Sequence, residues 1–452
     1  MAHPPSPSRF LARLLLAVNL GATSASFCFA SDSAPESPQW RGADGQGHAI
    51  AHRLPITWNE HTNVAWKTEI PGRGWSSPVL DATHIWLTTA LETTARPEDA
   101  QRRLKDNTGD QPLTLLDSVE FLAVGIERAS GRLTHRIPLL SQREPQWVHT
   151  LNSYASPTPV LAEGHLYCHF GTFGTACVDT RTGSLLWTNT SLRIMHENGP
   201  GSSPVVWKNL LVVHFDGSDQ QFVAAFDRAT GAVVWKTPRS GRLHENPQLR
   251  KSYATPNLTT LAGRPVLLSE GADWLYAYDP DTGSELWKLN LEHLGFSQSA
   301  RAVLGHGHLF LSTGYMRPEL LAIRLQGPDA PKVSWRYAKG VPTMPSPLLV
   351  GNELYFVSDS GGMLTCLNAL TGEEHYRERL GGNHSASLLF ADGHLLIPSR
   401  EAVTSVVAPG PTFRLVARNE LPGQIMATPA AVGDSLFIRT DTALYRITQA
   451  RR

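Results

Sequence analysis

An aspartate, a glycine four residues later and a tryptophan eight residues later recur along the chain, and few folds can absorb such a repeat. The string is complete in CVDTRTGSLLW (Asp179, Gly183, Trp187), AFDRATGAVVW (Asp227, Gly231, Trp235) and AYDPDTGSELW (Asp279, Gly283, Trp287). LNALTGEEHY keeps the spacing with Asn368, Gly372 and Tyr376, and IERASGRLTH keeps it with Glu127, Gly131 and His135. An apolar strand ending at Asp lets the carboxylate bond the turn backbone. Gly supplies the positive φ of the hairpin turn. A second strand then runs out to Trp, whose large flat ring suits packing against the next copy. An isolated hairpin is marginal in water, so each unit needs a neighbour.

A second string precedes each copy and counts them. Pro78, Pro159, Pro204, Pro256, Pro347 and Pro429 stand in WSSPVL, YASPTPVL, GSSPVV, YATPNL, MPSPLLV and MATPAAV, with Ala302 and Ser387 at the matching places of SARAVL and HSASLLF. After a first gap of 81, successive anchors lie 40–52 residues apart, near the ~40–50 of one propeller blade. Eight anchors predict an all-β, eight-bladed β-propeller of four-stranded antiparallel blades. The long first gap holds an insertion at about residues 91–111, charged and without alternation, which reads as a surface excursion with a short helix. The last copy stops after three strands, while NVAWKTEI, with Trp66, is a Trp-bearing strand ahead of the first anchor. Pairing the two closes the ring and leaves no open gap.

Charge narrows the partners. Among 452 residues, 40 Lys plus Arg balance 40 Asp plus Glu, which argues against nucleic acid, whose ligands need a basic surface. Arg9 and Arg13 flank a short apolar run that ends in small residues at Ala30. This reads as an export signal over residues 1–30, followed by a lead-in over 31–61, the propeller over 62–448 and a tail over 449–452. The expected location is the periplasm or outside the cell, with no membrane span once the signal is removed. Phe27 ahead of Cys28 is not the small residue that a lipobox requires. Cys168 and Cys177 flank GTFG, and the spacing is compatible with a cross-strand disulfide or with two buried thiols.

AYDPDTGSELW is similar to the tryptophan-docking repeat of the pyrroloquinoline-quinone (PQQ)-like β-propeller family, which includes quinoprotein alcohol dehydrogenases and BamB-like propellers. WRGADGQG, WKTEIPGRGWSSPV, LNSYASPTPV and LGGNHSAS extend the resemblance over nearly the whole mature chain. It implies a binding or scaffold propeller in the cell envelope, BamB-like outer-membrane protein assembly being one version. The alternatives are a PQQ-dependent alcohol or polyvinyl-alcohol dehydrogenase and a cofactor-free enzyme acting on carbohydrate. The family's dehydrogenases hold PQQ over calcium, often beside an adjacent Cys pair. This chain has no such pair and no C-x-x-C-H haem segment, so PQQ with calcium is disfavoured and no cofactor is expected.

A propeller's ligand site lies at its axis, where the loops leading into the Pro-marked strands converge. These inbound loops carry Arg73, Trp75, Asn152, Tyr154, His196, Asn198, His244, Lys251, Tyr253, Arg301, Asn383 and His384, the candidate ligand-binding set. Their mix of charge and amide favours a polar or anionic ligand or an envelope protein. His-Glu-Asn occurs at 196–198 and again at 244–246. Its oxygens suit a hard cation while His does not, so no metal is assigned. No catalytic residue is singled out, and the reading leans away from an enzyme.

Overall fold

A computed structural model describes residues 37–105, 111–292, 295–325 and 330–449. The export signal expected over residues 1–30 lies outside them. Eight four-stranded antiparallel sheets form the ring. Blade 1 comprises Val79–Leu80, His84–Thr94, Leu116–Glu127 and Leu133–Arg143, and blades 2 to 7 follow in sequence order, each running from its inner strand outward. Blade 8 takes Ala430–Val432, Ser435–Arg439 and Ala443–Ile447 from one end of the chain and its outer strand, Val64–Glu69, from the other. The closure read from the leftover strands is therefore the observed one.

The repeat string explains how neighbouring blades hold together. In blade 3 the Asp227 carboxylate accepts from the backbone N–H groups of Ala229 and Thr230, at 3.1 and 2.9 Å, which shapes the turn to Gly231 at φ +73°. Trp187, from blade 2, lies flat over that glycine: a Cβ at Gly231 would sit 2.5 Å from the indole. The indole N–H donates to the Arg228 carbonyl at 2.9 Å, and the Asn189 amide donates to Gly231 at 2.7 Å. The rings of Trp235 and Trp335 likewise lie over Gly283 and Gly372, with the Trp335 N–H donating to the Ala369 carbonyl at 3.1 Å, and His135 takes the ring's place over Gly183. Trp66 repeats the contact across the closure, over Gly131 with its N–H on the Arg128 carbonyl at 3.2 Å. Replacing Gly231 by Ala puts a side chain at positive φ, which costs roughly 1–2 kcal/mol before the displaced ring is counted. Chemical denaturation of Gly231→Ala should show at least that loss; a change within a few tenths would mean that the ring does not need the bare glycine.

A belt of hydroxyls ties the inner strands. The backbone N–H of Ser77 donates to the Thr158 hydroxyl, Thr158 to Ser203, and Ser203 to Thr255, each at 2.9 Å. The belt resumes from Arg301 to Ser346, Ser387 and Thr428. Ser387 thus aligns with Ser346, and the residue matching Pro347 is Leu388, one place later than the sequence alignment puts it.

The lead-in crosses the axis at the far ends of the inner strands. Ser37 and Pro38 carbonyls accept from Leu80 and Leu161, the Gln46 side chain accepts from Leu304, and the Gly47 carbonyl accepts from Phe390. His52 and Gly433 bond at 2.7 Å, and the Asp392 carboxylate accepts from the Leu54 N–H at 2.8 Å. WRGADGQG forms the tight part of this plug. Gly45 lies against the Arg301 guanidinium so closely that a Cβ would fall 2.0 Å from Nη1.

The insertion contains the helix Pro97–Leu104, and the blade 1 strands around it run to 11 and 12 residues. Cys168 pairs with Ala176, and Cys177 pairs with Tyr167. The two thiols therefore project to opposite faces, one into the core with blade 1 and the other into the core with blade 3. They remain free thiols, and burial pushes that of Cys177 up to about 12.

Candidate functional site

The inbound loops enclose a funnel of about 760 Å³ on the axis. Its floor is Trp40, part of the lead-in, whose indole N–H donates to the Thr428 hydroxyl at 3.2 Å. The walls follow a register: the residue three places before each anchor lines the funnel. Those residues are Trp75, Ser156, Gly201, Tyr253, Ser299, Met344, Ser385 and Met426, one from each blade. The hydroxyl belt lies just below, with Ser77, Thr158, Ser203 and Thr428 also in contact with the cavity. The extended blade 1 and the segment after it add Gln111, His149 and Leu151 near the mouth.

Five of the sequence-derived candidates line this space: Trp75, Asn152, Asn198, Lys251 and Tyr253. Asn152 is fully engaged, donating to the Asn198 and Pro200 carbonyls and accepting from Ser153 and Ser156. Trp75 is pinned by its N–H on the Leu151 carbonyl at 3.1 Å and by the Arg73 guanidinium 5.3 Å from its ring centroid. Arg73 itself donates to the Thr150 carbonyl at 2.6 Å. Tyr253 is fixed through its hydroxyl, which donates to the His196 carbonyl at 2.6 Å.

The remaining candidates sit around the funnel and not on its wall. His196 is buried behind Tyr253, edge-on to Phe173 at 5.2 Å, and burial with Lys251 nearby drives its pKa down to about 3. The His244 Nδ1 accepts from the Asn246 N–H at 3.0 Å and shapes the turn that puts Asn246 into the funnel. Tyr154 is a core residue with its hydroxyl on the Gln146 carbonyl. His384 is buried between the Pro398 and Gly381 carbonyls, and Asn383 is half-buried and bonded to Glu401. Arg301 lies under the floor, donating to Asn257, the Pro256 carbonyl and the Trp40 carbonyl at 3.1, 3.1 and 3.4 Å.

The electrostatics of the funnel are sparse. Lys251 is the one Lys, Arg, Asp or Glu among the described lining residues. It is 3 % exposed, donates to the Gln248 amide oxygen at 2.6 Å, and burial lowers its pKa against the opposing pull of Glu197. His149 also lines the wall; its Nδ1 accepts from the Leu151 N–H, which leaves the proton on Nε2, and burial lowers its pKa.

The PQQ chemistry of the dehydrogenase alternative can be tested against this donor set. Calcium takes six to eight oxygen ligands, with carboxylates prominent among them. The described lining residues supply amides and hydroxyls but no carboxylate, and no cluster of three His, Cys, Asp or Glu able to hold a metal occurs among the described residues. The described lining residues do not fit PQQ held over calcium.

Comparison with known proteins gives one consistent picture. A family profile described as outer membrane protein assembly factor BamB matches residues 55–237, 122–269, 172–327 and 271–419 in overlapping registers, as a repeat would. The outer membrane protein assembly factor BamB of Shewanella oneidensis is 21% identical over 311 residues, covering 63% of this chain and 72% of the relative. Among solved structures, BamB from Moraxella catarrhalis superposes with a TM-score of 0.51 at 12% identity, over 74% of this chain and 100% of that one. A europium-containing methanol dehydrogenase superposes with a TM-score of 0.62 at 12% identity, over 90% of both chains. At such identities the structural likeness carries the fold alone.

Proposed function

Since this chain belongs to the BamB-like family of PQQ-repeat propellers, we propose that it is an exported binding propeller of the cell envelope that holds a polar ligand in its axial funnel. The observation that carries the reading is the register of the walls. All eight blades turn one residue toward the axis at the same place, yet the residues differ from blade to blade, over a floor that the chain's own lead-in provides. A purely structural axis would repeat the same small residue. The short apolar run after Arg9 and Arg13, and the envelope role in the relatives' names, favour action outside the cytoplasm. A scaffold role in outer-membrane protein assembly is the version closest to the family's description.

Trp75→Ala removes a pinned platform from the wall without touching the blade cores. It is expected to weaken binding of any ligand recovered from a screen of envelope glycans and peptides at least tenfold, while the melting temperature stays within a few degrees. In the same assays, wild type incubated with PQQ and calcium is expected to lose its quinone absorbance on gel filtration. Unchanged ligand binding by Trp75→Ala would move the site elsewhere, and retained quinone with alcohol-dependent dye reduction would make the protein a dehydrogenase.

A further inference from the structure

The loop from Asn246 to Lys251 presents an unusual set of donors to the funnel. The Asn246 side-chain oxygen accepts from the Gln248 backbone N–H at 3.0 Å, and the Gln248 side-chain oxygen accepts from Lys251 Nζ at 2.6 Å. Both amide oxygens are thus used internally, while the two amide NH₂ groups donate no hydrogen bond to a described residue. Lys251 is 3 % exposed; its ammonium is held by Gln248 and feels the buried Glu197 carboxylate. Three donor groups from one short loop, one of them charged, therefore line the same cavity. An ammonium has three N–H donors and only one of them is used by Gln248, so a bound anion with two acceptor oxygens could take up all three donor groups.

The rest of the lining limits what else the ligand carries. Lys251 is the one Lys or Arg among the described lining residues, which matches one negative charge on the ligand. Trp75 is half-buried and held rigid by Leu151 and Arg73, a flat surface whose negative face attracts C–H groups. Hydroxyls from Ser203 and Ser299 and the amide of Asn198 complete the wall between the Trp75 and Lys251 blades and beyond. These groups both donate and accept, as a ligand rich in hydroxyls requires. Resting on the reading that the funnel is the ligand site, we infer that its ligand is an acidic glycan end: a sugar ring with one carboxylate, held by Lys251, Gln248 and Asn246, with Trp75 beneath the ring. The carboxylate at the end of a peptide would meet the same three donors, but it offers neither a flat C–H face for the indole nor hydroxyls for the wall.

The test uses cellobiouronic acid, which carries one carboxylate, its neutral counterpart cellobiose, and a short neutral peptide with a free C-terminus, each titrated calorimetrically into the full mature protein. The acid should bind at least ten times more tightly than cellobiose, and the peptide should not compete with it. Lys251→Met should bring the acid down to the affinity of the neutral sugar, whereas Trp75→Ala should weaken both sugars. The wild-type comparison stands on its own if Lys251→Met does not fold. Equal affinity for the acid and cellobiose, with both lost in Trp75→Ala, would overturn the inference and leave the funnel as the site. Binding of the peptide in preference to the sugars, or of no sugar, would overturn the glycan class. Sugar binding indifferent to both substitutions would remove the funnel reading as well.

Discussion

A chain shortened through Thr68 is expected to lose its cooperative thermal transition. The truncation takes away the outer strand of blade 8, which pairs with Ala443–Ile447 along its length, and exposes the edges on both sides of the gap. It also removes Trp66 from the cluster in which Ile70, Leu80 and Ile85 meet Val432, Phe437 and Leu444. Trp66→Ala isolates the docking contact. The ring is half-buried, so its loss should fall at or somewhat below the ~3–5 kcal/mol typical of a fully buried aromatic. Whole domains are stable by only about 5–15 kcal/mol, and the truncation adds lost ladder bonds and the lost plug to that single contact. Calorimetric scans of the two variants beside wild type measure the effect. A truncated chain that melts where the intact one does would show that the ring does not depend on closure.

The second large effect lies between blades 3 and 4. Asp216 and Arg239 form a bidentate pair at 3.0 and 2.6 Å with both side chains 1 % exposed. Burial alone would lower the guanidinium's pKa; the carboxylate against it reverses the sign and holds it above its ordinary value. Arg239 also stacks on Tyr276, 4.8 Å from the ring centroid, and bonds Ser269, which bonds His214. Asp216→Ala strands a buried cation and should cost about 3–5 kcal/mol in guanidinium denaturation. Pairing it with Arg239→Met removes both charges and should restore much of that loss. The Asp216 carbonyl accepts from the Ser252 N–H at 3.2 Å, between Lys251 and Tyr253, a backbone bond that the Ala variant keeps. A loss under about 1 kcal/mol would mean the pair is no better than a surface one.

The parts of this architecture that were readable in the sequence share a cause. Asp, Gly and Trp are spaced by one hairpin, and that spacing survives because Trp187 must reach Gly231 and Trp335 must reach Gly372. Closure was readable because strands come four to a blade, so an unmatched Trp66 and a blade ending at Ile447 had to meet. The funnel was legible only where the wall residue is large. Trp75 and Tyr253 stood out, while Ser156, Gly201, Ser299 and Ser385 occupy the same register unnoticed because small polar residues are common in any loop. Met344 and Met426 share the register inside the anchor strings themselves, and an alignment on the anchors alone would have found them. Arg301 was misleading for a physical reason. It stands where other blades place a belt hydroxyl, and its side chain turns down to grip the lead-in. Nothing local marks Trp40 as the floor, since its partner is Thr428.

The plug has a consequence for the order of events when the chain is made. Trp40 is separated from Thr428 by 388 residues, and Trp58 from Asn419 by 361. Synthesis proceeds from the N-terminal side, so these residues emerge first and meet their partners last. Through that interval two indoles and the strand bearing Trp66 travel unsheltered, a hazard for aggregation, and the distant pairing slows the final step. The floor of the funnel is consequently laid only when blade 8 is complete. A nascent ring that still lacks its last blade would have walls but no base, so the axial cavity is complete only when assembly has finished.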